Sequence, residues 1–470
     1  MIETVRLAHS GGSADALPLP QQLARRDMSR LRAYRENLDF YHGAQWLEPR
    51  RRRERRLTFN YAKTIMEKTA SYVISGYSSL VDPVDGSPEE LERARRAERA
   101  LREVHEASNL DQLDFDNEVD CSILGDAAYK VTWDAREERV RVSVPDVQGL
   151  YAWWLGDDPG RVWRVASRYT LSREEAELLL GPVPAPRQGR AEHTVVEAWT
   201  EGDFQIWLDG APFQEQANPY GFIPFVIYPN LREPKQFWGM SDLEAIKEPL
   251  RELNRAMTQL SMILELSGNP IAVLENVTEA QDIAVQPGAV WEVPEKARAY
   301  LLDLLHGGGV GLHVDYANLV LRTLHDLAEV PRSAFGENRQ ALSGVALQME
   351  LDPLLKKVQR KRLIRAAAFR RRNEMILRIL EQETGEPLRQ GSGQGLAPRQ
   401  SAGRLYRTRI VWGPVLPQDR SRLVEDETRL VSAGVHSRRT AAGLLDVADP
   451  DGEWERWREE MQSMNGGGEP

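Results

Sequence analysis

The chain has 470 residues, 41% of them hydrophobic and 28% charged, and a formal net charge of −10. Its length accommodates two or more domains with a large buried core, and its acidity argues against a protein that coats nucleic acid over its whole surface. Cys121 is the single cysteine, which excludes an intrachain disulfide or a cysteine zinc site and fits a reducing cytosol, and no apolar run is long enough to span a bilayer.

Residues 1–20 are polar, with Gly11, Gly12 and two prolines, and read as a disordered tail. Met1-Ile2-Glu3-Thr4 does not open a basic-then-apolar secretory signal. A charged helix is predicted over 21–41, with Gly43 as its C-cap. The run Arg50-Arg51-Arg52-Arg53-Glu54-Arg55-Arg56 is either a solvated loop or a polyanion contact. Helices follow over 60–77 and 88–108. After Asp120 the period changes to two, which predicts antiparallel strands at 128–133, 139–144, 162–169, 194–200, 204–208 and 222–228. This region is an α+β domain.

Ser241-Asp242-Leu243-Glu244 has the form of a capping box, a serine and a glutamate that satisfy orphan helix donors. Leu243, Ile246, Leu250, Leu253, Met257, Leu260 and Leu264 then alternate by three and four, the seam of a helix packed along its length. Gly268-Asn269-Pro270 stops that helix. Short strands are predicted at 271–274 and 289–293, with Gln286-Pro287-Gly288 turning between them. A second striped helix over 311–330 carries Val314, Ala317, Leu321, Leu324 and Ala328, and Pro331 ends it. A loop to Ser343 precedes a helix running to about Glu383, with a kink expected at Pro353. A Gly/Pro/Ser/Gln-rich linker follows, then a strand at 406–412, a small helical region and a glycine-rich tail.

The candidates for chemistry are few. Asp111, Asp114, Asp116, Glu118 and Asp120 form an acidic run that could bind a divalent metal, although without calcium-loop spacing it reads better as a solvated helix start. The histidines are scattered, and neither a phosphate loop nor a nucleophile turn is present. No catalytic constellation, metal site or cofactor is expected, so the chain reads as non-enzymatic. The long helix carries Lys356, Lys357, Arg360, Lys361, Arg362, Arg365, Arg370, Arg371 and Arg372 with no acid among them. Like charges three and four apart repel by a few tenths of a kcal/mol per pair. Acidic partners from another segment or subunit, or phosphates, must offset that. This basic helix, Lys356 to Arg365 above all, is therefore a candidate subunit or DNA contact.

The order of these pieces resembles the portal proteins of tailed bacteriophages, of the siphophage type. The residues that carry the resemblance are Tyr41-His42-Gly43-Ala44-Gln45, Asn218-Pro219-Tyr220-Gly221-Phe222-Ile223-Pro224, Gly239-Met240-Ser241-Asp242-Leu243-Glu244, Ser343-Gly344-Val345-Ala346-Leu347, and Ala433-Gly434-Val435-His436-Ser437-Arg438-Arg439-Thr440. It implies a non-enzymatic ring, usually of twelve subunits, at one capsid vertex of the virion. Double-stranded DNA is packaged and ejected through it, and assembly takes place in the host cytoplasm. Its implied partners are terminase, the major capsid and scaffolding proteins and a head-completion (adaptor) protein, with no membrane.

The implied domains are an α+β wing over 21–237, a first stem helix over 238–267, a small α/β clip over 268–310 and a second stem helix over 311–330. A tunnel loop over 331–343 would face DNA with Glu337, Asn338, Arg339 and Gln340. A long wing helix spans 344–385, a linker 386–404, a helical crown 405–461 and a tail 462–470. Leu243, Ile246, Leu250, Leu253, Met257, Leu260, Leu321 and Leu324 would pack the stem. Pro249 inside the first stem helix departs from a straight helix. The rivals are another head–neck structural protein such as an adaptor, and a metal-dependent nuclease built on the acidic run around Asp116.

Overall fold

The computed structural model describes residues 18–47, 55–186, 191–268, 271–275, 298–302, 309–336, 344–385, 388, 406–416, 420–445, 447 and 450–466. The chain divides into two compact units, Met1–Val411 and Trp412–Pro470. Helices and antiparallel sheets are mixed throughout the first, as expected of an α+β chain.

The predicted helix over 21–41 is two helices, α1 (Leu19–Arg25) and α2 (Met28–Tyr41). Asp27 breaks it by adopting a left-handed conformation, φ +54°. Gly43 does close α2, just past the cap at His42, with φ +97°. Next come α3 (Tyr61–Val73), β1 (Tyr77–Val81), α4 (Pro88–Ala107) and α5 (Leu110–Leu124). Asn60 and Ser87 cap α3 and α4 by accepting from backbone N–H groups.

The strands form two main sheets. β2 (Asp126–Asp134) pairs with β3 (Arg139–Ser143) on one side and with a later strand on the other. An antiparallel meander joins β4 (Leu150–Leu155) and β5 (Asp158–Ser172), then, after α6 (Arg173–Leu180), β6 (Glu192–Trp199), β7 (Asp203–Leu208) and β8 (Ala211–Ala217). β9 (Phe225–Pro229) completes the three-stranded sheet in the order β3-β2-β9.

The striped region begins with α7 (Lys247–Gly268), followed by the antiparallel pair β10 (Ile271–Glu275) and β11 (Arg298–Leu302), and by α8 (Gly309–Ala328). The strand expected at 289–293 lies outside the described residues, and the partner of β10 is a segment that carried no strand signal. A single helical turn, Arg332–Phe335, precedes α9 (Gly344–Thr384), which runs through Pro353. β12 (Thr408–Trp412) pairs with β1. The second unit holds α10 (Arg420–Ser432), α11 (Arg438–Leu444) and α12 (Pro450–Gly466).

Two glycines let the chain cross itself ahead of α7. A Cβ on Gly239 would lie 2.5 Å from both the Gly125 carbonyl oxygen and the Pro229 Cβ, and one on Gly125 would lie 2.9 Å from the Met240 carbonyl carbon. Gly125 also has φ +102° at the end of α5. This close approach carries Ser241 and Asp242 over the C-terminus of α5.

Candidate functional site

The acids of the sequence and its basic helix meet in the interior. Asp114 and Glu118 on α5, and Asp242 ahead of α7, are all buried. So are Lys357, Lys361, Arg362, Arg365 and Arg372 on α9. Arg365 grips Glu118 with both arms, Nε donating to Oε2 at 2.7 Å and Nη2 to Oε1 at 2.9 Å. Its Nη1 also donates to the Asn230 carbonyl at 2.7 Å. Arg372 pairs with Asp114 at 2.5 Å, and Asp114 also accepts from Tyr77 and Tyr129.

Lys361 donates to Asp242, to Asn230 Oδ1 at 2.7 Å and to Ser122 Oγ at 3.1 Å, with Glu118 a further 3.6 Å away. Lys357 lies 3.2 Å from Asp242 and donates to the Ala328 carbonyl at 2.9 Å, closing the C-terminus of α8. Arg362 closes α3 in the same manner, through the Val73 carbonyl at 3.1 Å and Ser75 Oγ at 2.6 Å.

Burial alone would raise the Asp242 carboxyl, but the Lys357 and Lys361 ammonium groups hold it well below the usual carboxylate range. Burial likewise opposes charge on Arg365 and Arg372, and Glu118 and Asp114 outweigh it. Lys357 goes the other way, burial lowering it more than Asp242 raises it.

These contacts correct three readings. Lys357, Lys361, Arg362 and Arg365 are not available to DNA or to a neighbouring subunit, because the partners that offset their charge lie within the chain. Of the nine basic residues named on this helix, Lys356, Arg360, Arg370 and Arg371 are exposed, and Arg360 is paired with Glu329 at 2.6 Å. Asp114 and Glu118 are buried counterions rather than a solvated helix start. With them committed to arginine, the acidic run cannot converge on a metal, and the described residues contain no group of three potential ligands. Asp116 itself is exposed and accepts from Gln112 at 2.8 Å.

The third correction is the capping box. The serine half forms, Ser241 Oγ accepting from the Leu243 N–H at 3.0 Å while donating to the Ile123 carbonyl at 2.6 Å, but the side chain of Glu244 bonds Lys247 at 3.1 Å instead. Helix α7 starts only at Lys247, so Pro249 sits in its first turn, where the missing N–H costs nothing.

The striped pair forms as a packed hairpin, α7 against α8. Leu243, Ile246, Leu250, Leu253 and Leu324 are buried, while Met257, Leu260 and Leu321 are half-buried. The polar side of α7 is bolted to the N-terminal segment by residues that no motif singled out. Asn254 accepts from the Phe59 N–H at 2.7 Å and donates to Gln45 Oε1 at 2.7 Å, and Thr258 accepts from the Leu57 N–H at 3.1 Å. Glu337, Asn338, Arg339 and Gln340 lie outside the described residues.

The α7–α8 hairpin is thus tied at its base to the buried charges of α5 and α9. The family described as phage portal protein, SPP1 Gp6-like, matches residues 21–467, nearly the whole chain. The chain belongs to this family. No curated protein matches it. Its function is that of a phage portal, a structural protein of DNA packaging, and the family places it at the capsid vertex. Membership removes the adaptor reading, and the portal family is structural rather than catalytic. No helix among the described residues of this portal protein is long and apolar enough to cross a membrane.

Proposed function

We propose that this portal protein works as a closed ring of twelve copies, with α7 and α8 lining the channel as the stem. The observation that carries this reading is an apolar flank that the single chain leaves uncovered. Met262 is 43% exposed, Leu264 53%, Leu312 73%, Leu319 56% and Leu327 48%, all on the stem pair. Covering what remains exposed of such side chains is worth about 0.6–2 kcal/mol each, and a head-to-tail contact repeated around an axis closes a ring. Residues 268–310 form the clip that docks terminase and later the head-completion protein. The 331–343 loop faces DNA through Glu337, Asn338, Arg339 and Gln340, residues 405–461 form the crown, and the wing meets the major capsid and scaffolding proteins. Helix α7 balances Glu248, Glu252 and Glu265 against Lys247, Arg251 and Arg255, and this lack of net positive charge suits a channel that must not hold phosphate tightly, since each cationic contact adds salt-dependent affinity.

Electron microscopy of the purified protein tests the reading. Rings with a central hole are expected, and Leu319→Asp should disperse them while leaving the circular dichroism spectrum unchanged. A wild-type chain that stays monomeric at every salt concentration refutes it.

A further inference from the structure

Two adjoining clefts flank α9 on the side away from its buried charges. One, of 450 Å³, has an apolar floor of Val162, Val165 and Ile227 from the sheets, Phe237 from the loop after β9, and Leu363 and Ala367 from α9. The other, of 630 Å³, is walled by Arg370, Arg371 and Glu374 of α9 and by Asp82, Tyr406 and Arg407. Ala367 and Arg371, one helical turn apart, line both, so the clefts form one groove.

Its charge is uneven. Asp82 is already paired with Arg409 at 3.0 Å. That leaves Glu374 against Arg232, Arg370, Arg371 and Arg407, all four exposed. Among the described residues, Arg232, Arg371 and Arg407 have no carboxylate partner. Exposed like charges held along a groove cost stability, so they point to a ligand that brings the opposite sign. Leu363, which lines the apolar cleft, is 74% exposed.

We propose that this groove is the docking surface for an acidic segment of a partner protein, anchored by apolar side chains on the Val162–Ile227–Leu363 floor. Its carboxylates pair with Arg371 and Arg407, and its apolar anchors cover Leu363. The apolar floor and the Glu374 carboxylate disfavour the alternative, a phosphate backbone, which would gain nothing from the first and be repelled by the second. The surface lies on the basic helix but uses the cations that the interior leaves unpaired.

The test uses the full-length protein as it assembles and three fluorescent probes. These are an acidic peptide with leucine and tryptophan anchors, a polyglutamate of equal charge, and a short DNA duplex. The anchored peptide should bind, and binding should weaken roughly tenfold in R371E/R407E and similarly in Leu363→Ser. Both variants change exposed side chains, and an unaltered melting curve establishes that they fold. The proposal is overturned if the anchored peptide does not bind or if polyglutamate binds as tightly. It is equally overturned if duplex DNA is the probe lost in R371E/R407E, or if either variant loses the ring, which would make the groove a contact between copies.

Discussion

Removing the Arg365 guanidinium strips a buried carboxylate of its main partner, and the cost can be worked from the contacts. In Arg365→Met, Glu118 keeps only Lys361, at 3.6 Å, and the Asn230 carbonyl loses its 2.7 Å donor. Breaking one side of a buried pair costs about 3–5 kcal/mol, and the residual lysine places this case near the lower end. An unsatisfied buried carbonyl adds about 1–3 kcal/mol, for a total of roughly 4–6 kcal/mol. In Arg365→Met/Glu118→Met the stranded charge is gone and only the carbonyl remains unpaired. The double variant should therefore be more stable than Arg365→Met by at least about 2 kcal/mol. Urea unfolding followed by tryptophan fluorescence measures this, with every variant compared in the same oligomeric state, because assembly shifts apparent stability. If both single variants unfold within about 1 kcal/mol of wild type and their effects add, the pair is not an intrachain lock and α9 is free for other partners.

Acid should loosen the same layer in two steps. Asp242 is held low in the fold, so its contribution is full above the ordinary carboxylate range and is lost as pH falls below that range toward the depressed folded value. His105 is lowered to about 4, mainly by burial and then by Arg372, so its contribution is full above about 6.5 and lost as pH falls from 6.5 to 4. His105→Gln should remove roughly 2 kcal/mol of acid sensitivity at pH 5, and melting curves across pH that overlay wild type would contradict this. Gly239→Ala should destabilise by about 1–3 kcal/mol or more because its Cβ meets backbone at 2.5 Å. Gly311→Ala, with nothing within 4 Å, should be neutral or stabilise by about 0.5 kcal/mol in the same unfolding assay.

The portions legible in the sequence are those whose signals are local. The heptad seam from Leu243 to Leu260, the period-two strands around Val131 and Val142, and the glycine after α2 each act on neighbours within a turn or a strand. The charge layer was visible only as two unrelated puzzles. Glu118 and Arg365 are 247 positions apart, and nothing in either segment names the other. Read alone, an acidic run suggests solvent or metal and a basic helix suggests phosphate. Each is the solution to the other once the fold brings α5 beneath α9. The capping-box pattern was only half realised: Ser241 Oγ accepts from the Leu243 N–H while donating to the end of α5, but Glu244 turns to Lys247 and the regular helix starts only there. Asp27 gave no warning of a break, since aspartate enters the left-handed region only when surrounding contacts demand it. Arg30 supplies them, bonding Asp27 and the Leu150 carbonyl and stacking on Trp238 at 3.8 Å.

Lys357 touches both ends of the α7–α8 hairpin, the Asp242 carboxylate that precedes α7 and the Ala328 carbonyl that ends α8. The hairpin is thus a beam clamped at its root and braced along α7 by the segment from Arg55 to Phe59. In the ring proposed above, force applied toward its tip would be delivered as torque to that root. The weakest element there is not a helix but one lysine shared between two acceptors. A Lys357→Met chain would keep its helices and lose the clamp, turning a stiff beam into a hinged one.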